Sequence, residues 1–206
     1  LFDQIKTNLQ NLAMKLRILP LIVLVTVALA PDAQAHILPS DIHGLREGFQ
    51  HPIGGLDHLL AMVAVGVWAA QMGGNARWRV PSAFVGVMTV GGVLGFGGSH
   101  LPGTEFFIAL SSVVLGAAIA LATRPGLPVA MGLVGAFALF HGYAHGREIP
   151  SAASGLAYGA GFILATGVLH AAGFVLAAGL SRMRRDVWVR VAGGVMACIA
   201  AILLLG

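Results

Sequence analysis

Imidazole and carboxylate side chains crowd into two short stretches of the 206-residue chain. In Phe140-His141-Gly142-Tyr143-Ala144-His145-Gly146-Arg147-Glu148 the two histidines are four apart. On a helix that spacing puts both rings on one face, where they can reach a single metal ion. The other stretch is His51-Pro52-Ile53-Gly54-Gly55-Leu56-Asp57-His58. Its proline and paired glycines predict a turn that leads into a helix whose first turn holds Asp57 and His58. A carboxylate there is favoured by the helix dipole and stays ionised, available to a cation or to orient a liganding imidazole. The plainer reading makes Asp57 an N-terminal cap and His58 an interfacial residue. Imidazole nitrogen together with carboxylate oxygen suits a borderline divalent metal such as nickel, cobalt, zinc or copper. The single cysteine, Cys198, excludes a disulfide framework and a Cys-rich zinc site.

The elements that must position these groups are membrane helices. Hydrophobic residues make up 57% of the chain and charged ones 10%, against roughly 45–50% and 25% in an average soluble domain. The apolar residues fall in long runs at about 55–72, 80–98, 105–123, 128–146, 155–180 and 187–205, each near the ~20 residues that cross a bilayer core. Turn chemistry separates them at Gly73-Gly74-Asn75, Pro102-Gly103, Pro125-Gly126 and Pro150. The expected fold is an all-α membrane protein, a compact bundle of six transmembrane helices. Gly-x-x-x-Gly at 91–95, 142–146 and 155–159, and the small pair Gly116 and Ala120, supply the close backbone approach that helices in lipid need.

A signal peptide is expected ahead of the bundle. Met14-Lys15-Leu16-Arg17, the apolar stretch 18–30 and Ala33-Gln34-Ala35 have the charged region, short apolar core and A-x-A site of a secretory signal. This divides the chain into an upstream segment 1–13, a signal 14–35 and one domain, 36–206. Cleavage after Ala35 would leave His36 at the N-terminus, where an amine and an imidazole make a bidentate chelate. An external N-terminus puts Arg77, Arg79, Arg124, Arg182, Arg184, Arg185 and Arg190 on the cytoplasmic side and leaves Arg46 and Arg147 outside, as the positive-inside rule requires. The net charge of +4 is then an orientation signal and points to no nucleic-acid partner. Seven of the eight histidines fall on the external side or in the outer third of a span, and His170 alone lies deep, a candidate relay. Glu105, which opens the third run, and Glu148 are secondary metal candidates, and His100 falls in a loop.

These residues resemble the HupE/UreJ family of hydrogenase and urease accessory membrane proteins. His51-Pro52 through Gly55, Asp57-His58, the run Leu59-Leu60-Ala61-Met62-Val63-Ala64-Val65-Gly66 and Trp68 are similar to its H-P-x-x-G-x-D-H-x-x-A-M-x-x-V-G motif. Phe140-His141-Gly142, Ala144-His145-Gly146 and Glu148 resemble its second motif, and Pro102 with Glu105 and Ala165-Thr166 with Leu169-His170 its weaker ones. The resemblance covers nearly all of the mature chain. It implies a six-helix bacterial inner-membrane protein, made with a cleaved signal, that acts as a secondary permease for Ni²⁺, with Co²⁺ as a second candidate. Carried over, the functional residues are His51, Asp57 and His58, with His141, His145 and Glu148 in support. Position 143 is Tyr where members often carry another His, and the stretch between His36 and His51 is poorer in Gly-Phe pairs.

The expected partners are a divalent transition metal, the lipid bilayer, and hydrogenase or urease maturation proteins. No G-x-x-x-x-G-K-[ST] motif is present, so ATP is not expected to drive this chain. The competing reading is a membrane protein that holds Cu, Zn or Ni on its periplasmic face, without transport, for metalloenzyme assembly or redox chemistry. Few polar residues line the inner half beyond His170, Thr123, Thr166 and Ser181, which favours that alternative. An intramembrane hydrolase lacks a clear nucleophile and base, so no enzymatic activity is expected.

Overall fold

In the computed structural model the described residues are 40–150, 154–183 and 185–205. The upstream segment, the signal peptide, its cleavage site and His36 lie outside them. The described residues are helical: α1 (Ser40–Gly54), α2 (Leu56–Met72), α3 (Ala76–Phe96), α4 (Thr104–Ala120), α5 (Leu127–Arg147), α6 (Gly155–Arg182) and α7 (Asp186–Leu205).

Each of the six apolar runs is a helix, but their membrane crossing is less uniform than the sequence predicts. Among the described residues four helices, α3, α5, α6 and α7, are long and apolar enough to cross by themselves. α1 and α2 qualify only as a pair, bent by 87°. The turn expected between His51 and Gly55 shrinks to one residue. α1 runs to Gly54 with Pro52 inside it, and Gly55 breaks the helix with an extended backbone, φ −101° and ψ 122°. Pro52 withholds the N–H that would bond the carbonyl four residues back, so the last turn of α1 is already weakened.

α4 is 17 residues long, which at 1.5 Å per residue is about 25 Å against a core of about 30 Å. It stops at Ala120 instead of reaching 123, where the backbone turns left-handed at Ala122, φ 51°, and side chains of two other helices bond carbonyls at and just past its end. Gln71 Nε2 donates to Ile119 O at 3.1 Å, Arg190 Nε to Ala120 O at 2.8 Å, and Trp68 Nε1 to Thr123 O at 3.0 Å. A helix end in a low-dielectric interior needs such partners.

α2 is the central helix, buried from Ala61 to Ala69 apart from Val63 at the margin. It packs on α3, α4 and α6, while α3 lies against α5, α1 against α6 and α4 against α7. Two of the predicted small-residue motifs meet each other. A Cβ on Gly142 would lie 1.9 Å from Met88 O, one on Gly146 2.1 Å from Gly92 O, and one on Gly91 2.2 Å from Leu139 O. The third motif is not a seam: Gly159 has nothing within 4 Å of its Cβ position. α7 turns Val187, Trp188, Val191, Val195 and Ile202 outward, as a lipid-facing helix does.

In the fold the clustered histidines and most of the described arginines lie at opposite helix ends. The first turn of α2 and the last turns of α5 carry His58, His141 and His145, whereas Arg77, Arg79, Arg124, Arg182, Arg185 and Arg190 lie at or between the opposite helix ends.

Candidate metal centre

The last turn of α1, the first turn of α2 and the last two turns of α5 converge with α6 on a cleft of about 570 Å³. Its walls include His51, Asp57, His58, His145, Glu148 and Tyr158. Directly below it lies His141, fully buried. The four imidazoles form a continuous row. Ring centroids are 4.8 Å apart for His51 and His145, 4.4 Å for His145 and His58, and 5.0 Å for His58 and His141.

Hydrogen bonds settle which nitrogen His141 and His58 offer. Ser111 Oγ lies 2.6 Å from Ile108 O and 2.9 Å from His141 Nε2. A carbonyl only accepts, so the one hydroxyl proton goes to Ile108 and the His141 Nε2–H donates to Ser111. That leaves the lone pair on His141 Nδ1, which is buried and has no hydrogen-bond partner. Asp57 acts likewise on His58. Its Oδ1 accepts from His58 Nδ1 at 3.0 Å, and His58 Nε2 is left buried and unpartnered. Asp57 thus orients the His58 ring, as carboxylates orient liganding histidines at metal sites. Ser112 Oγ donates to the Asp57 carbonyl at 2.9 Å and ties α4 to this first turn of α2.

Both nitrogens of His145 are buried without a hydrogen bond. Its Nδ1 is 3.4 Å from Glu148 Oε2, an ion-pair distance, while His51 Nε2 donates to the same oxygen at 2.8 Å. His51, His145 and Glu148 offer ligand atoms that all lie within 4.8 Å of one another. The imidazoles of His145 and then His51 hold the Glu148 carboxyl at about 2, against partial burial that pushes it up. Its folded value is below the usual 4.5, so the stabilisation from these contacts is present above that pH and is lost as pH falls towards 2. An unpartnered buried polar group costs about 1–3 kcal/mol, and several of them lie on imidazoles that touch ring to ring. Imidazole nitrogen with carboxylate oxygen is a combination that suits a divalent transition metal.

The family model described as HupE / UreJ protein matches residues 23–203. The chain belongs to the HupE/UreJ family. It is 48% identical over 184 residues to Protein HupE of Rhizobium leguminosarum bv. viciae, covering 89% of this chain and 95% of that one. No solved structure matches it.

Six of the residues predicted for this HupE/UreJ site, His51, Asp57, His58, His141, His145 and Glu148, are brought together. Glu105 is not: it is exposed in the first turn of α4 and outside the cleft, where it complements the helix dipole. His170 is buried, but the ring of Phe84 stands between it and the cluster, with centroids 5.2 Å from His170 and 5.7 Å from His141. His43 pairs with Glu47 at 3.1 Å on the exposed side of α1, and His100 is exposed. Tyr143, at the position where the family resemblance leads one to expect His, turns away and donates to Ser99 O at 2.7 Å. The change at that position therefore takes no ligand from the cluster.

Sequence reasoning missed Ser111, Ser112 and Tyr158. The signal for the serines is an adjacent polar pair in an otherwise apolar span, Phe107-Ile108-Ala109-Leu110-Ser111-Ser112-Val113-Val114. Ser111→Ala is expected to weaken metal binding by about 10- to 100-fold, the usual cost of losing a partner that orients a ligand. Equilibrium dialysis of the purified protein measures this, and Ser111→Thr, which keeps the hydroxyl, should recover most of it. Wild-type affinity in Ser111→Ala would mean that the serine does not orient His141.

Proposed function

We propose that this chain is a secondary permease that takes up Ni²⁺, with Co²⁺ as a second cargo, across the bacterial inner membrane to supply hydrogenase or urease maturation. One observation carries the reading: His58, His141 and His145, each with a buried unpartnered nitrogen, stack ring against ring at one end of a helix bundle whose core is apolar. In the proposed topology a cleaved signal precedes six crossings, with α1–α2 counted as one and α4 as the short sixth, and the histidine face is periplasmic.

With no nucleotide-binding motif in the sequence, the driving force is the membrane potential. It is worth about 2.3 kcal/mol per charge per 100 mV, so roughly twice that for a divalent ion. Catalysis is not part of the proposal. Ser111 and His141 are at the distance of a nucleophile and its base, but the serine proton is committed to Ile108 O and the histidine donates.

A second reading, a protein that holds the metal without moving it, is favoured by the floor of the site. Phe84 separates the cluster from His170, and further inward Thr123 and Ser181 bond to Ala118 O and Asp186. Proteoliposomes with an inside-negative potential separate the two. Uptake of radiolabelled nickel well above that of protein-free vesicles is the expected result. Nickel that survives chelator washing on the protein, with no uptake, would replace the permease reading by the second one.

A further inference from the structure

The geometry points to two cation stations in series that share His145: an outer one of His51, His145 and Glu148, and an inner one of His58, His141 and His145. The inference rests on the reading of this cleft as a metal pathway. It divides what the sequence presents as one site.

The ring order, His51, His145, His58, His141, places His145 between the two groups. The outer group is compact, mixes nitrogen with a carboxylate oxygen, and opens to solvent through half-exposed Glu148. Such a set takes a cation that is still partly hydrated. The inner group offers His58 Nε2 and His141 Nδ1, both buried, and its nearby carboxylate Asp57 is engaged by His58. A metal there has nitrogen donors. Oxygen-preferring Mg²⁺ and Ca²⁺ are therefore rejected at the inner step, while nickel, cobalt, copper and zinc are accepted.

His145 differs from its neighbours in having both ring nitrogens buried and without a hydrogen bond. Its Nδ1 is the atom next to Glu148, which leaves Nε2 for the inner pair. A neutral imidazole carries one lone pair and one proton, so it serves one ion at a time, through Nδ1 in the outer station or through Nε2 in the inner one.

The test uses the purified full chain in detergent with Ni²⁺ alone, read by binding affinity and by the donor atoms in the X-ray absorption spectrum. In His141→Asn the ion should be confined to the outer station, with weaker binding and a carboxylate oxygen donor. His58→Asn, on another helix, should do the same, which keeps the test intact if one variant fails to fold. Glu148→Gln should give the opposite shift, to a shell without that carboxylate oxygen, and His145→Ala should weaken binding more than any of the three. The same donor set in all variants, or complete loss of nickel binding in both His141→Asn and Glu148→Gln while both remain folded, would show one undivided site and overturn the two stations. Vesicle uptake is scored separately: two donor sets without uptake would overturn the permease reading and leave the stations standing.

Discussion

His58→Ala is expected to abolish nickel uptake by cells at limiting nickel, and with it nickel-dependent hydrogenase or urease activity, while protein levels stay unchanged. The ring supplies a buried, unpartnered Nε2 and touches both histidines of α5, with centroids 4.4 Å from His145 and 5.0 Å from His141. No neighbour can replace it, because Asp57 is placed on the Nδ1 side. Asp57→Asn should be milder. It keeps an oxygen that can accept from Nδ1–H and removes the negative charge, so a loss of about 10- to 100-fold in apparent affinity is expected, as for other residues that orient a ligand. Excess nickel should rescue Asp57→Asn and not His58→Ala. Radiolabelled uptake over a range of nickel concentrations measures both. If the two variants behave identically and neither is rescued, Asp57 is itself a ligand and the orienting role is wrong.

Gly142→Ala should be among the most disruptive single methyls in the described residues. Its Cβ would sit 1.9 Å from Met88 O and 2.9 Å from Gly92 N. These are backbone atoms of α3, so no rotamer change can relieve the contact and the two helices must part. Overpacking typically costs about 1–3 kcal/mol, and a clash with backbone belongs at or above the upper end. Because Gly142 follows His141 and precedes His145 by three residues, the same displacement moves both rings out of the cluster. Gly159→Ala is the control: nothing lies within 4 Å of that Cβ position, and a helical Gly to Ala change there should be neutral or stabilise by up to about 1 kcal/mol. Thermal unfolding in detergent compares them. Equal melting temperatures for Gly142→Ala and the wild type would mean that α3 and α5 do not approach as closely as described.

The contrast between Gly142 and Gly159 shows where sequence reading stops. Both open or close a Gly-x-x-x-Gly pattern in an apolar span. Only the tertiary structure places one against a backbone carbonyl and leaves the other open, because the motif permits close approach without specifying a partner. The same limit applied to α1. Its apolar and polar residues gave no run long enough to register as a span, and a proline with two glycines read as a turn. In the fold it is a helix held on α6 by reciprocal close contacts, with a Cβ on Gly48 only 2.0 Å from Tyr158 O and one on Gly161 only 2.0 Å from Leu45 O. Those contacts are between residues more than a hundred positions apart, so no local pattern carries them.

Taken alone, the sequence determined the helical membrane class, the separation of most arginines from the histidine cluster, and the six residues that meet in and just below the cleft. Hydrophobic length, charge asymmetry and i, i+4 spacing are local properties that a linear reading retains. The tertiary structure alone decided which nitrogen His141 and His51 offer. That depends on Ser111 reaching His141 across 30 residues and on Glu148 reaching His51 across 97. It also decided that His170 and Glu105 stand apart from the cluster, since Phe84 fills the space in front of one and solvent surrounds the other. Hydrogen-bond direction and ligand convergence are set by contacts between helices, and the residue order along the chain does not contain them.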